Sequence, residues 1–222
     1  MEVTQKSFEG KTVLLTAGPT QEPIDPVRFI GNHSTGKMGY ALAEGFAQRG
    51  AAVQLVSGPT NLTTKHENIS LTSVTTADEM YAAALQLADA ADIWVFAAAV
   101  ADYRPKQAEG KKIKKTGNEL TIELVKNVDI AAALGQRKKP GQFSVGFALE
   151  THDESANARE KLRKKNLDMI VLNSLNDAGA GFRHDTNKIT VIEQNATTAF
   201  GLKQKAEVAE DIINLIWDRL HG

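Results

Sequence analysis

Ten residues concentrate the chemistry of this chain. Gly31-Asn-His-Ser-Thr-Gly-Lys-Met-Gly-Tyr40 holds three glycines, two hydroxyls, an amide, an imidazole and a lysine. Glycines let a backbone approach a ligand closely, and the polar side chains offer donors. The next ten residues, ALAEGFAQRG, carry apolar side chains at helical spacing and stop at Gly50. The loop therefore opens a helix, where free N–H groups and the positive end of the helix dipole attract anions. The spacing Gly31-x4-Gly36-Lys37 comes close to a phosphate-binding P-loop. That motif needs Ser or Thr next, to hold magnesium, and must follow its strand directly. Here Met38 follows, and residues 17–30 intervene after the strand.

Basic residues suggest what else is handled. Lys112, Lys114 and Lys115 lie between Gly110 and Gly117, on what reads as a mobile flap. Lys161 and Lys165 are four apart on one helix face and can reach one polyanion together. Each cluster alone reads as solvated surface charge. Both together, beside a glycine-rich anion loop, favour a nucleoside triphosphate whose leaving pyrophosphate they neutralise. Two alternatives stay open. An NAD(P)-dependent Rossmann oxidoreductase would lack its G-x-G-x-x-G turn, and Ser57-Gly58-Pro59 stands where a ribose-binding acid is wanted. Tyr103 and Lys106 are also one residue short of a Tyr-x-x-x-Lys pair. A non-catalytic nucleotide-binding module is the other.

These residues need an α/β scaffold. Residues 12–16 read as a buried strand, 37–48 as a helix and 52–57 as a second strand. Thr76-Ala-Asp-Glu79 is a capping box opening a helix over 77–89. Residues 93–99 form a continuous apolar run, expected as a central strand buried on both faces. Residues 120–125 alternate like a strand, and Asn127 is placed to cap a short helix over 128–136. Strands are expected at 143–149, 167–172 and 188–193, and helices at 154–165 and 203–219. The segment 17–35, with Pro19, Pro23 and Pro26, is long for a strand-to-helix connection and stiff.

The chain has 222 residues, 42% of them apolar, and a formal net charge of -1. That balance argues against general attraction to nucleic acid or membrane. No apolar run approaches the length of a membrane span. There is no cysteine, so thiolate chemistry and disulfides are excluded. His66, His152, His184 and His221 have no ligand-like spacing, and no protein-built metal site is expected. His33 is a poor candidate base, because a loop histidine at a helix start often serves in a structural hydrogen bond. Residues 1–10, MEVTQKSFEG, read as a tail or linker remnant, 11–222 as one domain, and the cytoplasm as the default location.

With these residues in hand, the chain resembles the phosphopantothenate–cysteine ligase family (phosphopantothenoylcysteine synthetase) of coenzyme A biosynthesis. The matching segments run in order: TAGPTQEPIDPVRFIGNHSTGKMG, AAAVADYRP from Ala97 to Pro105, KIKK at Lys112 to Lys115, ELVKNVDI at Glu123 to Ile130, VGFALET at Val145 to Thr151, and KKNLDMIVLN at Lys164 to Asn173. The resemblance implies a Rossmann-like three-layer α/β fold with a mainly parallel central sheet and a β-rich flap or dimerisation arm, the flap at about 104–118. It implies a ligase that joins 4'-phosphopantothenate to L-cysteine through an acyl-cytidylate, using CTP with Mg2+. The family is dimeric and is commonly fused to a flavin-dependent phosphopantothenoylcysteine decarboxylase.

Carried onto this chain, the resemblance gives Asn32 and Lys112 the catalytic roles. It gives nucleotide contact to Phe96, Ala97, Ala98, Asp102, Lys112, Asn127, Val128, Asp129, Ile130, Phe147, Lys161 and Lys165. Val128 stands where most relatives have proline. Gly18, Asn32, Ser34, Thr35 and Gly36 fall on the substrate side, and residues 172–192 are the expected dimer contact.

Overall fold

The computed structural model describes residues 6–114, 117–150, 153–174 and 185–222. In chain order the strands and helices are β1 (Thr12–Ala17), β2 (Gln21–Pro23), β3 (Phe29–Gly31), α1 (Lys37–Gln48), β4 (Ala52–Ser57), β5 (Ile69–Ser73), α2 (Ala77–Ala88), β6 (Ile93–Phe96), β7 (Tyr103–Pro105), β8 (Leu124–Lys126), α3 (Ile130–Gly135), β9 (Phe143–Glu150), α4 (Glu154–Lys164), β10 (Met169–Ser174), β11 (Thr186–Asn187), β12 (Ile189–Glu193), β13 (Thr197–Ala199), β14 (Lys203–Gln204) and α5 (Lys205–His221). Eight strands form one sheet in the order β13-β12-β10-β9-β6-β1-β4-β5. The six from β10 to β5 run parallel, and β12 and β13 close one edge antiparallel. The expected mainly parallel sheet with helices on both faces is what the chain forms.

Strand periodicity decides the layers. On β1, Val13 and Leu15 join the core beneath α1 and α5, with Leu42, Phe46, Ile212 and Ile216. Leu14, between them, points to the opposite core, with Met80 of α2, Leu134 of α3 and Leu162 of α4. The capping box at Thr76 and Glu79 forms as read from the sequence.

Several expectations change. β5 had no counterpart in the sequence reading: its residues ISLTS are mostly exposed at the sheet edge, so no apolar run marks it. β6 ends at Phe96, not at residue 99, because the chain then turns to lace onto the segment after β1. The Ala99 N–H donates to the Gly18 carbonyl at 2.9 Å, and Pro19 bridges Ala99. Of the strand expected at 120–125 only Leu124 and Val125 fall in β8, which pairs with β7 to form the arm. Asp129, not Asn127, caps α3: its Oδ1 accepts from the Ala132 N–H at 3.1 Å. β12 lies between β10 and β13 in its own sheet, so neither of its edges is open to a strand from a second chain. Much of the rest of 172–192 lies outside the described residues. The long connection after β1 is a two-stranded hairpin of β2 and β3.

Phe8 falls within the stretch read as a tail, yet it is 1% exposed and packs edge-on to Phe46 at 5.1 Å between ring centroids. The Phe8 N–H also donates to the Arg49 carbonyl at 2.7 Å. The core therefore begins before residue 11.

Part of the flap is tied down by one carboxylate. The Asp25 side chain is fully buried in the turn between β2 and β3. It accepts from the Arg28 guanidinium (2.5 and 3.1 Å), from the N–H groups of Val27 and Arg28 (each 2.9 Å), and from the Ile113 N–H at 3.1 Å. The Glu109 N–H adds a bond to the Ile24 carbonyl at 2.9 Å. The Arg28 guanidinium and these N–H groups hold the Asp25 carboxyl well below the usual carboxylate range, against the opposing effect of burial. A carboxylate depressed in the fold stabilises it at every pH above the unfolded-state value. That contribution is lost only as pH falls through the depressed folded value.

Phe8→Ala is expected to destabilise the protein by roughly 3–5 kcal/mol, as a large core truncation does, read as a lower urea midpoint; no change would return residues 1–10 to the status of a tail. Asp25→Ala is expected to speed tryptic cleavage after Lys111 or Lys112 by about tenfold or more, since local opening follows the ties that resist it. In the unsubstituted protein, hydrogen-exchange protection of the Ile113 N–H should persist below pH 3.8, and its loss with a midpoint near 3.8 would mean Asp25 titrates normally.

Candidate functional site

Two cavities open at the carboxyl ends of the parallel strands, on opposite sides of the laced junction between β1 and β6. Strand order reverses between these two strands, the place where open α/β sheets take ligands. The first cavity, of about 510 Å³, lies on the face of α3 and α4. The second, of about 360 Å³, lies against the start of α1. Ala98, Val100, Asp102 and Phe147 line both, so the cavities share a wall.

The first cavity gathers Phe96, Ala98, Asp102, Asn127, Val128, Asp129, Ile130, Phe147, Lys161 and Lys165, all expected on the nucleotide side. Phe96 and Phe147 give it an apolar slot, and Lys161 and Lys165 give it charge. Each lysine has a carboxylate partner, Glu150 for Lys161 at 2.6 Å and Asp129 for Lys165 at 3.0 Å. Asn127 is held on two sides. Its Nδ2 donates to the Ala101 carbonyl at 2.7 Å, and its Oδ1 accepts from Arg104 at 2.9 Å. The arm that carries Arg104 thus fixes this wall. Ala97 lines the second cavity instead of the first, and its N–H is spent on the Thr16 carbonyl at 3.1 Å.

The second cavity gathers Asn32, Ser34, Thr35 and Gly36 from the glycine-rich loop. Gly36 is the N-cap of α1 at φ +80, with no side chain capping the helix and no acidic residue in its first turn. A left-handed N-cap needs glycine, and it leaves the first-turn N–H groups for a ligand. Gly18 lines neither cavity; it supports the loop from below. Its φ is +73, and a Cβ there would meet the Gly58 carbonyl oxygen at 2.9 Å. The Asn32 Nδ2 donates to the carbonyls of Ala99 (3.0 Å) and Val100 (3.2 Å). Both amide hydrogens are engaged, so donation to a developing oxyanion requires exchange of one of them. His33 is exposed and lines neither cavity.

Lys112 is not brought to these cavities. It is exposed and lines a separate groove with Lys106, Lys111 and Glu123 under the arm. Lys115 lies outside the described residues. Conversely, the second cavity contains Lys37, Asn173, Asn187 and Lys205, which the sequence reading did not assign to a site. Lys37 sat in view within the motif. Asn173 and Asn187 come from different strands, and Lys205 from the start of α5, so no spacing links them. Lys205 is 9% exposed, and burial, then the nearby Lys37, lower its pKa while Asp185 raises it. Lys37 pairs with Asp185 at 2.5 Å. Two cations beside an uncapped helix start make this end of the cavity suited to an anionic group.

Comparison with known proteins shows the family to which the chain belongs. The family described as "DNA/pantothenate metabolism flavoprotein C-terminal domain" matches residues 8–220. A prokaryotic protein named "Cysteine/Cysteine sulfinic acid decarboxylase" is 51% identical over 99% of this chain and 62% of its own length. The "Coenzyme A biosynthesis bifunctional protein CoaBC" of Haemophilus influenzae is 46% identical over 97% of this chain and 53% of its own length. That of Bacillus subtilis is 50% identical over 86% of this chain and 47% of its own length. The chain thus spans about half to three fifths of the curated relatives it matches. The crystal structure of the C-terminal domain of a CoaBC protein superposes with a TM-score of 0.81 at 39% identity, covering 96% of both chains. By sequence over nearly its whole length and by fold, the chain belongs to the DNA/pantothenate metabolism flavoprotein C-terminal domain family.

Proposed function

We propose that this chain is the phosphopantothenate–cysteine ligase unit of coenzyme A biosynthesis, working through CTP. The observation that carries the reading is the wall common to the two cavities. A nucleotide in the first and an anionic acid in the second would meet at Ala98, Val100, Asp102 and Phe147. The names of the bifunctional relatives and their 46–50% identity support it.

In this reading 4'-phosphopantothenate lies in the second cavity, with its phosphate toward the start of α1, Lys37 and Lys205. Its carboxylate oxygen attacks the α-phosphorus of CTP, the bond to the β-phosphate breaks, and pyrophosphate leaves with the electron pair. The acyl-cytidylate so formed is attacked at its carbonyl carbon by the amine of L-cysteine. The carbon–oxygen bond breaks, CMP leaves, and the nitrogen gives up its proton. The protein contributes position and charge: a carboxylate acylates an amine only after its oxygen has become a good leaving group. Phe96 and Phe147 border the base, Lys161 and Lys165 exchange their carboxylates for phosphate oxygens, and Asn32 turns toward the intermediate. The flap must leave its groove to bring Lys112 to the triphosphate. A Mg2+ ion bound to the triphosphate would meet Asp102 and Asp129, the carboxylates that line that cavity, the latter on release from Lys165. What it supplies is neutralisation of phosphate charge.

The reading brings a homodimer and a decarboxylase fused to or associated with this unit. It also places the reaction in the cytoplasm, where nucleoside triphosphates and free cysteine are available. Among the described residues no helix is long and apolar enough to cross a membrane.

The deciding experiment is pyrophosphate release by the purified chain with 4'-phosphopantothenate, Mg2+ and either CTP or ATP, with and without cysteine. Release that needs CTP and the acid, with CMP formation rising on cysteine addition, is expected. Release with ATP alone would overturn the choice of nucleotide. Release with neither, together with carbon dioxide from cysteine sulfinate or tight NADPH binding, would sink the ligase reading. Asn32→Asp is expected to accumulate the acyl-cytidylate and slow cysteine transfer by about 100-fold, since a carboxylate beside the intermediate's phosphate opposes its turnover. Lys112→Gln is expected to lower pyrophosphate release itself by about 100-fold; wild-type release would mean that the flap stays in its groove during catalysis.

A further inference from the structure

The second cavity holds a feature that the anion reading leaves unused. Asn187 is 3% exposed, and its Oδ1 is the buried side-chain polar atom without a hydrogen-bond partner among the described residues. Its Nδ2 donates to the Asn173 Oδ1 at 2.9 Å. Both residues line the second cavity, with Lys37 and Lys205. Native interiors rarely leave a carbonyl-type oxygen unpaired, and those that do call for a reason. In the structure the bond to Asn173 uses the Nδ2 end of the amide and leaves the Oδ1 over. The neighbouring cations favour the same orientation, because they attract the oxygen end of the amide dipole. A fully ionised phosphate or carboxylate, being an acceptor only, cannot satisfy this atom. A neutral O–H or N–H can.

We infer that Asn187 is a specificity residue of the second cavity, whose Oδ1 accepts a hydrogen bond from a hydroxyl or amide N–H on the uncharged stretch of an anionic acid substrate. This rests on the ligase reading, in which the acid carries one hydroxyl and one amide N–H between its phosphate and its carboxylate. Asn173 holds the amide in register, and the lysines hold the charged end. An acid of the same charge and length without the donor would bury the Oδ1 unmet and bind less well.

The test is calorimetric binding, which does not depend on turnover. The probes are 4'-phosphopantothenate, its analogue without the secondary hydroxyl, and its N-methylated amide. The unsubstituted protein is expected to lose about 10- to 100-fold in affinity for one of the two analogues. Asn187→Leu should bind 4'-phosphopantothenate that much more weakly and no longer distinguish the same analogue. The analogue arm uses the unsubstituted protein, so a folding defect in a variant cannot mimic it. Equal binding of all three probes by the unsubstituted protein, or discrimination that persists in Asn187→Leu, overturns this inference. Binding of the acid without CTP-dependent pyrophosphate release would fail the ligase reading while leaving the Asn187 contact standing. No binding of the acid at all would overturn both.

Discussion

The rest of the site depends on the lacing of two chain segments past the carboxyl ends of β1 and β6. Ala99 donates to Gly18, Thr20 donates back to Ala99 at 3.3 Å, and the Ala101 N–H reaches the Thr20 Oγ at 3.0 Å. Asn32 then clips the glycine-rich loop onto the carbonyls of Ala99 and Val100. These bonds carry the parallel contact between β1 and β6 onward past the ends of both strands. They also set the wall on which both cavities lean. A sheet opens a crevice where its strand order reverses; here the crevice is divided in two by a strip of backbone with small side chains.

The two compartments differ in how their charge is held. In the first, Lys161 and Lys165 are each matched to a carboxylate within the protein. An entering polyanion therefore swaps one partner for another and gains less than a free lysine pair would give. In the second, burial and then the nearby Lys37 lower the pKa of Lys205 while Asp185 raises it, and Lys37 is itself matched to Asp185. The compartments thus differ in how deeply a lysine is buried, not in whether their cations have carboxylate partners.

Much of this was legible in the residues. The buried apolar run of β1, the capping box at Thr76 and the glycine-rich start of α1 are local signals, and each formed where the pattern placed it. The nucleotide-side residues came from resemblance, and the fold gathered all of them except Ala97 and Lys112 into one cavity. What was not legible has a common cause. β5 is short, polar and half solvated, so neither period nor composition marks it. The role of Phe8 depends on a ring 38 positions away in sequence, Phe46, and the Asn173–Asn187 pair on two strands that meet only after the sheet has formed. Asn127 had the residue type of a cap, but the following turn gave that task to Asp129 and left Asn127 to bind the arm. Contacts made by tertiary approach leave no periodic trace.

The shared wall has a thermodynamic consequence of its own. Ala98 and Phe147 contact whatever fills either compartment, so occupancy on one side alters the packing freedom available to the other. The two ligands are then linked through a common partition, and linkage of this kind is reciprocal: if nucleotide tightens the acid, the acid must tighten nucleotide by the same factor. Coupling would vary with the stiffness of one strip of chain, without any domain having to close.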